Sequence, residues 1–190
     1  MFRSADIKSH LKFALSLYAG FWIAVYGFVK VVSIQFAPPE KLASKVLGDL
    51  TGMELTWYYF GYSGSYTIII GLLQMAGSLL LIINRTRIIG ALMLFPIMLN
   101  IVFIDYFYRV TLGAFGNAIF YTLILLFILY LEREKLFNAF RNLTLKITSQ
   151  TSDSIWKKIG FSGLFIIAAI VLNQLTINIL IGIYSLCEKL

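Results

Sequence analysis

Long uninterrupted apolar runs constrain this chain more than any motif in it. They fall at about 13–36, 66–83, 88–104, 117–131 and 159–186. A bilayer's hydrocarbon core is about 30 Å thick and takes roughly 20 apolar helical residues to cross, with about 17 at the low end. Each run reaches that length, the fourth once Gly113 to Gly116 are counted with it. Soluble domains are about 45–50% apolar and about 25% charged. Here 59% of 190 residues are hydrophobic and 13% charged, with a mean hydropathy of +0.85. The expected fold class is an all-α membrane protein: a four-helix transmembrane bundle plus a fifth, C-terminal transmembrane helix.

Residues 1–144 are expected to form the four-helix core with a cytoplasmic amphipathic helix, 145–158 a cytoplasmic linker, and 159–190 the fifth span with a short outer C-terminus. The first apolar run exceeds the roughly 7–15 residues of a signal-peptide core and is closed by no A-x-A site, so it is read as a span.

The formal charge of +7 would suggest nucleic acid in a soluble protein. These basic residues instead flank apolar runs, which is a topology signal and argues against nucleic-acid binding. Arg3, Lys8, Lys12, Arg85, Arg87, Arg133, Lys135, Arg141, Lys146, Lys157 and Lys158 fall on one side of the alternating spans. Only Lys41, Lys45, Arg109 and Lys189 fall on the other. The N-terminus is therefore expected inside and the C-terminus outside a bacterial cytoplasmic membrane.

Cys187 and His10 are the only residues of their kinds. A single Cys forms no intrachain disulfide, and a single His supplies neither paired haem ligands nor most of a zinc site. No intrinsic cofactor, metal site or catalytic residue is expected.

"NRTR" (Asn84 to Arg87) is short enough to force an antiparallel hairpin between the second and third spans. In the first outer loop, "PPEKLASKVL" opens with prolines suited to a first helical turn and repeats Leu42, Val46 and Leu50 at helical spacing. "TGME" (Thr51 to Glu54) has capping-box form ahead of "LTWYYFGY". Two short surface helices are expected there, with Trp57, Tyr58, Tyr59 and Tyr62 in the interfacial aromatic belt. After the fourth span, "LEREKLFNAFRNL" places Leu136, Phe137, Phe140 and Leu143 on one face of a basic amphipathic helix suited to an anionic inner leaflet.

Polar residues inside spans are costly in lipid and tend to face the bundle interior. At 1.5 Å per residue, Lys30 and Asp105 both lie roughly 27 Å above the last inner charge of their spans. By the same count Asn100, Asn117 and Gln174 lie at about 20–24 Å, and Gln74 and Tyr121 near the midplane at about 16 Å. These depths point to a polar pocket that opens outward and is closed on the inner side by aliphatic packing.

Tyr18, Trp22, Tyr26 and Lys30 form one helical stripe. Thr67, Gly71, Gln74 and Ser78 form another, and Gln174, Asn178, Gly182 and Ser185 a third. Small-polar stripes of this kind also serve plain helix packing. Pro96 is placed to bend the third span below Asn100. Asp105 can pair with Arg109, four residues on, or with Lys30 across spans; matching depth favours Lys30. The candidate ligand-binding residues are Lys30, Trp22, Tyr26, Gln74, Asn100, Asp105, Asn117 and Tyr121.

The stretch "FGYSGSYTIIIGLLQMAGSLLLIINRTRIIGALMLFPIMLNIVFIDYFY" (Phe60 to Tyr108) resembles the DoxX-like (DoxX/DoxD) membrane proteins. The shared features are an "MGYSPAYQ"-type entry to the second span, an "RRTTTLGALLL"-type turn and an "N…L.F.YD" ending. "YGFVK" (Tyr26 to Lys30) is similar to the family's G..K ending of the first span. The resemblance covers roughly residues 12–140. It departs where many relatives carry a glutamate and this chain has Gln74, and where an acidic position becomes Arg109. Some relatives belong to quinone-linked sulfur or terminal oxidase complexes, so the resemblance implies a quinone or lipid as ligand and other membrane or redox subunits as partners.

The function expected is a non-catalytic accessory subunit, or a binder of a lipophilic small molecule. A quinone-interacting oxidoreductase subunit is the alternative; it would draw electrons from a partner. A small-molecule transporter is the second alternative, with no inverted repeat to support it.

Overall fold

A computed structural model describes residues 4–36 and 45–145, together with 170, 171, 173–175 and 178. Six α-helices lie in the continuous part: α1 Ser4–Val31, α2 Gly52–Tyr62, α3 Gly64–Ile82, α4 Arg87–Phe107, α5 Leu112–Leu131 and α6 Arg133–Leu145. No strand occurs among the described residues. Within α1, and in α3, α4 and α5, are stretches long and apolar enough to cross a membrane. The protein is thus an all-helical, multi-pass membrane protein.

The chain divides into two compact units, 1–141 and 142–190. The division falls inside α6, just before the expected core boundary at 144. In the second unit, Gln174 and Asn178 are helical and exposed. Apart from 170, 171, 173 and 175, the rest of the expected fifth span, Gly182 and Ser185 included, lies outside the described residues. So does the expected linker beyond Leu145.

Local chemistry sets the helix ends. The first span was expected to reach 36, but α1 stops at Val31 because Ser33 takes a positive φ of 56° and turns the chain. The capping box at the start of α2 forms as its sequence predicts: Glu54 N–H donates to Thr51 Oγ1 at 3.2 Å, and Thr51 N–H donates to Glu54 Oε2 at 3.0 Å. Ahead of it, Leu47–Asp49 is a single 3-10 turn, so residues 45–50 are not the α-helix expected there. Residues 37–44 lie outside the described part. The α3–α4 hairpin is closed by Thr86, whose hydroxyl donates to the Leu80 carbonyl at 2.9 Å. α4 continues as one helix through Pro96.

The four long helices pack as a ring, α1 on α3, α3 on α4, α4 on α5, and α5 back on α1. Ile23, Leu81, Leu94, Leu125 and Ile128 fill its centre. α1 and α3 cross through glycines. A Cβ on Gly27 would sit 2.7 Å from the Gly71 carbonyl oxygen, and one on Gly71 would sit 2.5 Å from that of Gly27. Only hydrogen fits there, so the Thr67–Gly71–Gln74–Ser78 stripe does serve helix packing. The outward surfaces of these helices are apolar, with Phe21, Phe28, Ile69, Ile89, Phe103 and Leu123 among the exposed side chains. That inverts the soluble pattern and suits lipid.

Candidate ligand-binding site

Below α2 the ring of helices does not close on itself. It encloses a cavity of about 400 Å³, within the range of small-molecule sites. All four long helices contribute, together with α2 and Gln35 and Phe36 from the segment after α1. α2 serves as its roof. Phe36 stacks on Phe60 with ring centroids 4.9 Å apart and meets Trp57 edge-on at 5.4 Å. Gly52, at the start of α2, lies so close to the Tyr108 carbonyl that a Cβ would collide with it. The roof is therefore seated on the α4–α5 turn at one end, and α3 follows it directly at the other.

Seven of the eight sequence candidates line this cavity: Tyr26, Lys30, Gln74, Asn100, Asp105, Asn117 and Tyr121. Trp22 does not. It is 40% exposed and packs edge-on against Phe21. A four-residue step advances a helix by 400°, so a stripe repeating every four residues drifts around the axis by about 40° each time. That drift is enough to carry Trp22 off the face that Tyr26 and Lys30 share. Trp57 departs from expectation in the opposite sense. It was read as an interfacial residue, and instead it turns inward against Phe36 and lines the cavity. Phe36, Thr56, Phe60 and Tyr66 also line the cavity; in sequence an aromatic facing water and one facing a cavity look alike, and Thr56 carries no distinguishing signal.

The expected Lys30–Asp105 pair does not form as a contact. Lys30 is 6% and Asp105 8% exposed, and both line the cavity. They lie close enough for each to feel the other's charge, but no ion pair within 4.0 Å joins them, nor Asp105 to Arg109. Lys30 Nζ donates to the Tyr26 carbonyl at 3.4 Å and stands 6.0 Å from the Tyr26 ring centroid. Among the described residues, the Asp105 carboxylate accepts no hydrogen bond. Gln74 is fully buried; among the described residues its Nε2 reaches only Met98 Sδ at 3.9 Å, and its Oε1 has no partner. Gln35 Oε1 is unpartnered too. Asn117 Nδ2 donates to Tyr26 Oη at 3.3 Å, tying α5 to α1.

The cavity reaches the outside along seams. α3 and α4 touch tightly near their hairpin, where a Cβ on Gly77 would meet Leu94 Cδ2 at 2.7 Å. Farther along, the lining residues Tyr66 and Leu73 on α3 and Pro96 and Asn100 on α4 are themselves exposed. Asn117 is exposed at the α1–α5 seam as well.

The opposite half of the bundle holds the aliphatic packing expected of it, around Leu81, Leu94, Leu125 and Ile128, and a buried acidic group at its end that was not expected. Glu132, at the end of α5, is 3% exposed. Its carboxylate accepts from Lys12 Nζ at 2.7 Å, pairs with Lys135 Nζ at 2.8 Å, and lies 3.9 Å from Arg87 Nη1. The Ser16 and Ser78 hydroxyls are buried nearer the middle without partners. The ends of α1, α4 and α5 converge there, and one carboxylate offsets the cations that this convergence brings together. "LEREK" carried that signal in sequence, as an acid between an apolar run and a basic helix.

The sequence is 30% identical over 135 residues to the uncharacterized protein YwoB of Bacillus subtilis strain 168. The match covers 71% of this chain and 85% of that protein. The chain belongs to the YwoB family. No family model matches the sequence, and no solved structure matches it.

Proposed function

We propose that the protein is a membrane-embedded binder of a lipophilic small molecule, a quinone or a lipid, held in the cavity beneath α2. It acts as an accessory module and not as a catalyst. One observation carries this reading: a cavity of about 400 Å³, walled by aromatic and aliphatic side chains, into which a few buried polar groups converge. Ligand sites have that composition, with an apolar body for affinity and sparse polar groups for orientation. The resemblance of Phe60–Tyr108 to DoxX-like proteins supports the same reading, as do the exposed seams through which a membrane-dissolved molecule can enter. We further assign the protein to a bacterial cytoplasmic membrane with its N-terminus inside, on the strength of the basic residues that flank its spans.

Gentle purification followed by mass spectrometry of the extracted small molecules tests the proposal. Wild type is expected to carry an apolar molecule near one equivalent. Ala118→Phe, which fills space beside Asn117 and Tyr121, is expected to carry little of it. Ligand-free wild type, or equal yields from both proteins, would refute the binding role.

A further inference from the structure

We infer that the occupant has a zwitterionic head with a primary ammonium, its anionic group on Lys30 and its ammonium on Asp105, joined to an acyl chain as in a phosphoethanolamine lipid. This rests on the binding role proposed above and names the ligand's chemistry.

The argument is a count of unmet donors and acceptors. A buried charge without a partner is costly, and so is a buried amide oxygen without a donor. Among the described residues, Lys30 is the cavity's cationic group, and its only hydrogen bond is the 3.4 Å contact to a helix carbonyl. Lining the same cavity, among the described residues, are the Asp105 carboxylate, which accepts no hydrogen bond, and the buried, unpartnered oxygens Gln35 Oε1 and Gln74 Oε1. A carboxylate only accepts, so a ligand with carbonyl oxygens alone would serve Lys30 and leave Asp105 unmet. A purely anionic head would repel Asp105, and a purely cationic one would repel Lys30. A primary ammonium brings three N–H donors, enough for Asp105 and the amide oxygens around it. A phosphate beside it supplies the anionic contact that Asp105, more than 4.0 Å away, does not make with Lys30. Lys30 and Asp105 both line the cavity without forming an ion pair, so one head can carry a charge to each.

The rest of the cavity suits a chain. Phe36, Trp57 and Phe60 form an aromatic wall, and the exposed seam between Leu73 and Pro96 lets an acyl tail lie toward the lipid.

Thermal unfolding of the purified, detergent-exchanged protein would be followed during titration with lysophosphatidylethanolamine, lysophosphatidylcholine and lysophosphatidylglycerol. Soluble phosphoethanolamine serves as the tail-free probe. The ethanolamine lipid is expected to half-saturate at a concentration at least tenfold lower than the other two lipids. Choline has no N–H to give, and the glycerol head has no cation. Lys30→Gln and Asp105→Asn are each expected to erase that preference. Should either variant fail to fold, the contrast between ethanolamine and choline in wild type still decides the matter.

Equal responses to all three lipids would overturn the inference. Equal potency of phosphoethanolamine would overturn the lipid source and point to a free head group. Recovery of a neutral apolar molecule from wild type, without any ethanolamine preference, would overturn this inference and leave the binding role standing. Ligand-free wild type would remove that role itself.

Discussion

Gln74 turns an ambiguous residue into a test. Its amide oxygen is fully buried and unpartnered, and such a group costs about 1–3 kcal/mol. Gln74→Leu is therefore expected to stabilise the ligand-free protein by about that amount, and to weaken whatever ligand donates to the oxygen. Melting curves with and without ligand report both effects; a fall in ligand-free stability would mean that the oxygen already has a donor. Glu132 behaves oppositely. Burial pushes its carboxyl up, and the bonds from Lys12 and Lys135 outweigh burial and hold it below the ordinary 4.5. A depressed acid stabilises the fold fully above its unfolded value, and that contribution is lost as pH falls through the lower folded value. Glu132→Gln leaves Arg87 buried without an anion and is expected to cost about 3 kcal/mol, in line with broken buried pairs. Its stability should also vary less than wild type's below pH 4.5, which acid titration of the melting temperature would show.

At the scale of elements, the roof helix α2 and the α1–α3 crossing depend on different physics. α2 is held by its capping box and by the Lys45–Glu54 ion pair. The Lys45 side chain first, and then the Thr51 backbone and hydroxyl, bring the Glu54 carboxyl down from 4.5 to about 2. The cap's contribution is thus whole above pH 4.5 and lost as pH falls toward 2. Acid, or Glu54→Gln at neutral pH, is expected to fray the start of α2 and wet Trp57. A red shift of Trp57 emission, in a protein lacking the other tryptophans, would register it. The crossing depends on close approach: Gly71→Val sets a branched side chain against the Gly27 carbonyl and should cost about 1–3 kcal/mol or more, as overpacking does. An unaltered melting temperature would show that α1 and α3 are not in this register.

The whole molecule is defined by which ends of its helices share a side. Tyr62 and Asn84 are exposed at opposite ends of α3. In cells carrying Cys187→Ser, Tyr62→Cys is expected to react with a membrane-impermeant maleimide from outside. Asn84→Cys should react only after permeabilisation. The reverse pattern would invert the topology and place the cavity on the cytoplasmic side. Polar groups sit at both ends of the bundle, gathered around one carboxylate at one end and spread around a cavity at the other. Glu132 pairs with its cations within the protein, whereas among the described residues Lys30 and Asp105 make no ion pair and the Gln35 and Gln74 amide oxygens have no donor.

The first four spans, the hairpin at "NRTR" and the cap at "TGME" could be read without coordinates, because hydropathy, chain length and capping act over a few residues. Depth along a helix follows from its rise, so the shared level of Lys30 and Asp105 was legible too, as was the convergence of seven candidates. Rotation about each helix axis was not. It is set by close packing such as Gly27 against Gly71, and it excludes Trp22 from the cavity and turns Trp57 in. The distance between facing side chains was equally hidden. Whether Lys30 and Asp105 touch or stand apart depends on how tightly α1 and α4 pack around the cavity, which no local pattern encodes. Tertiary structure alone decided that the two charges face a space and not each other.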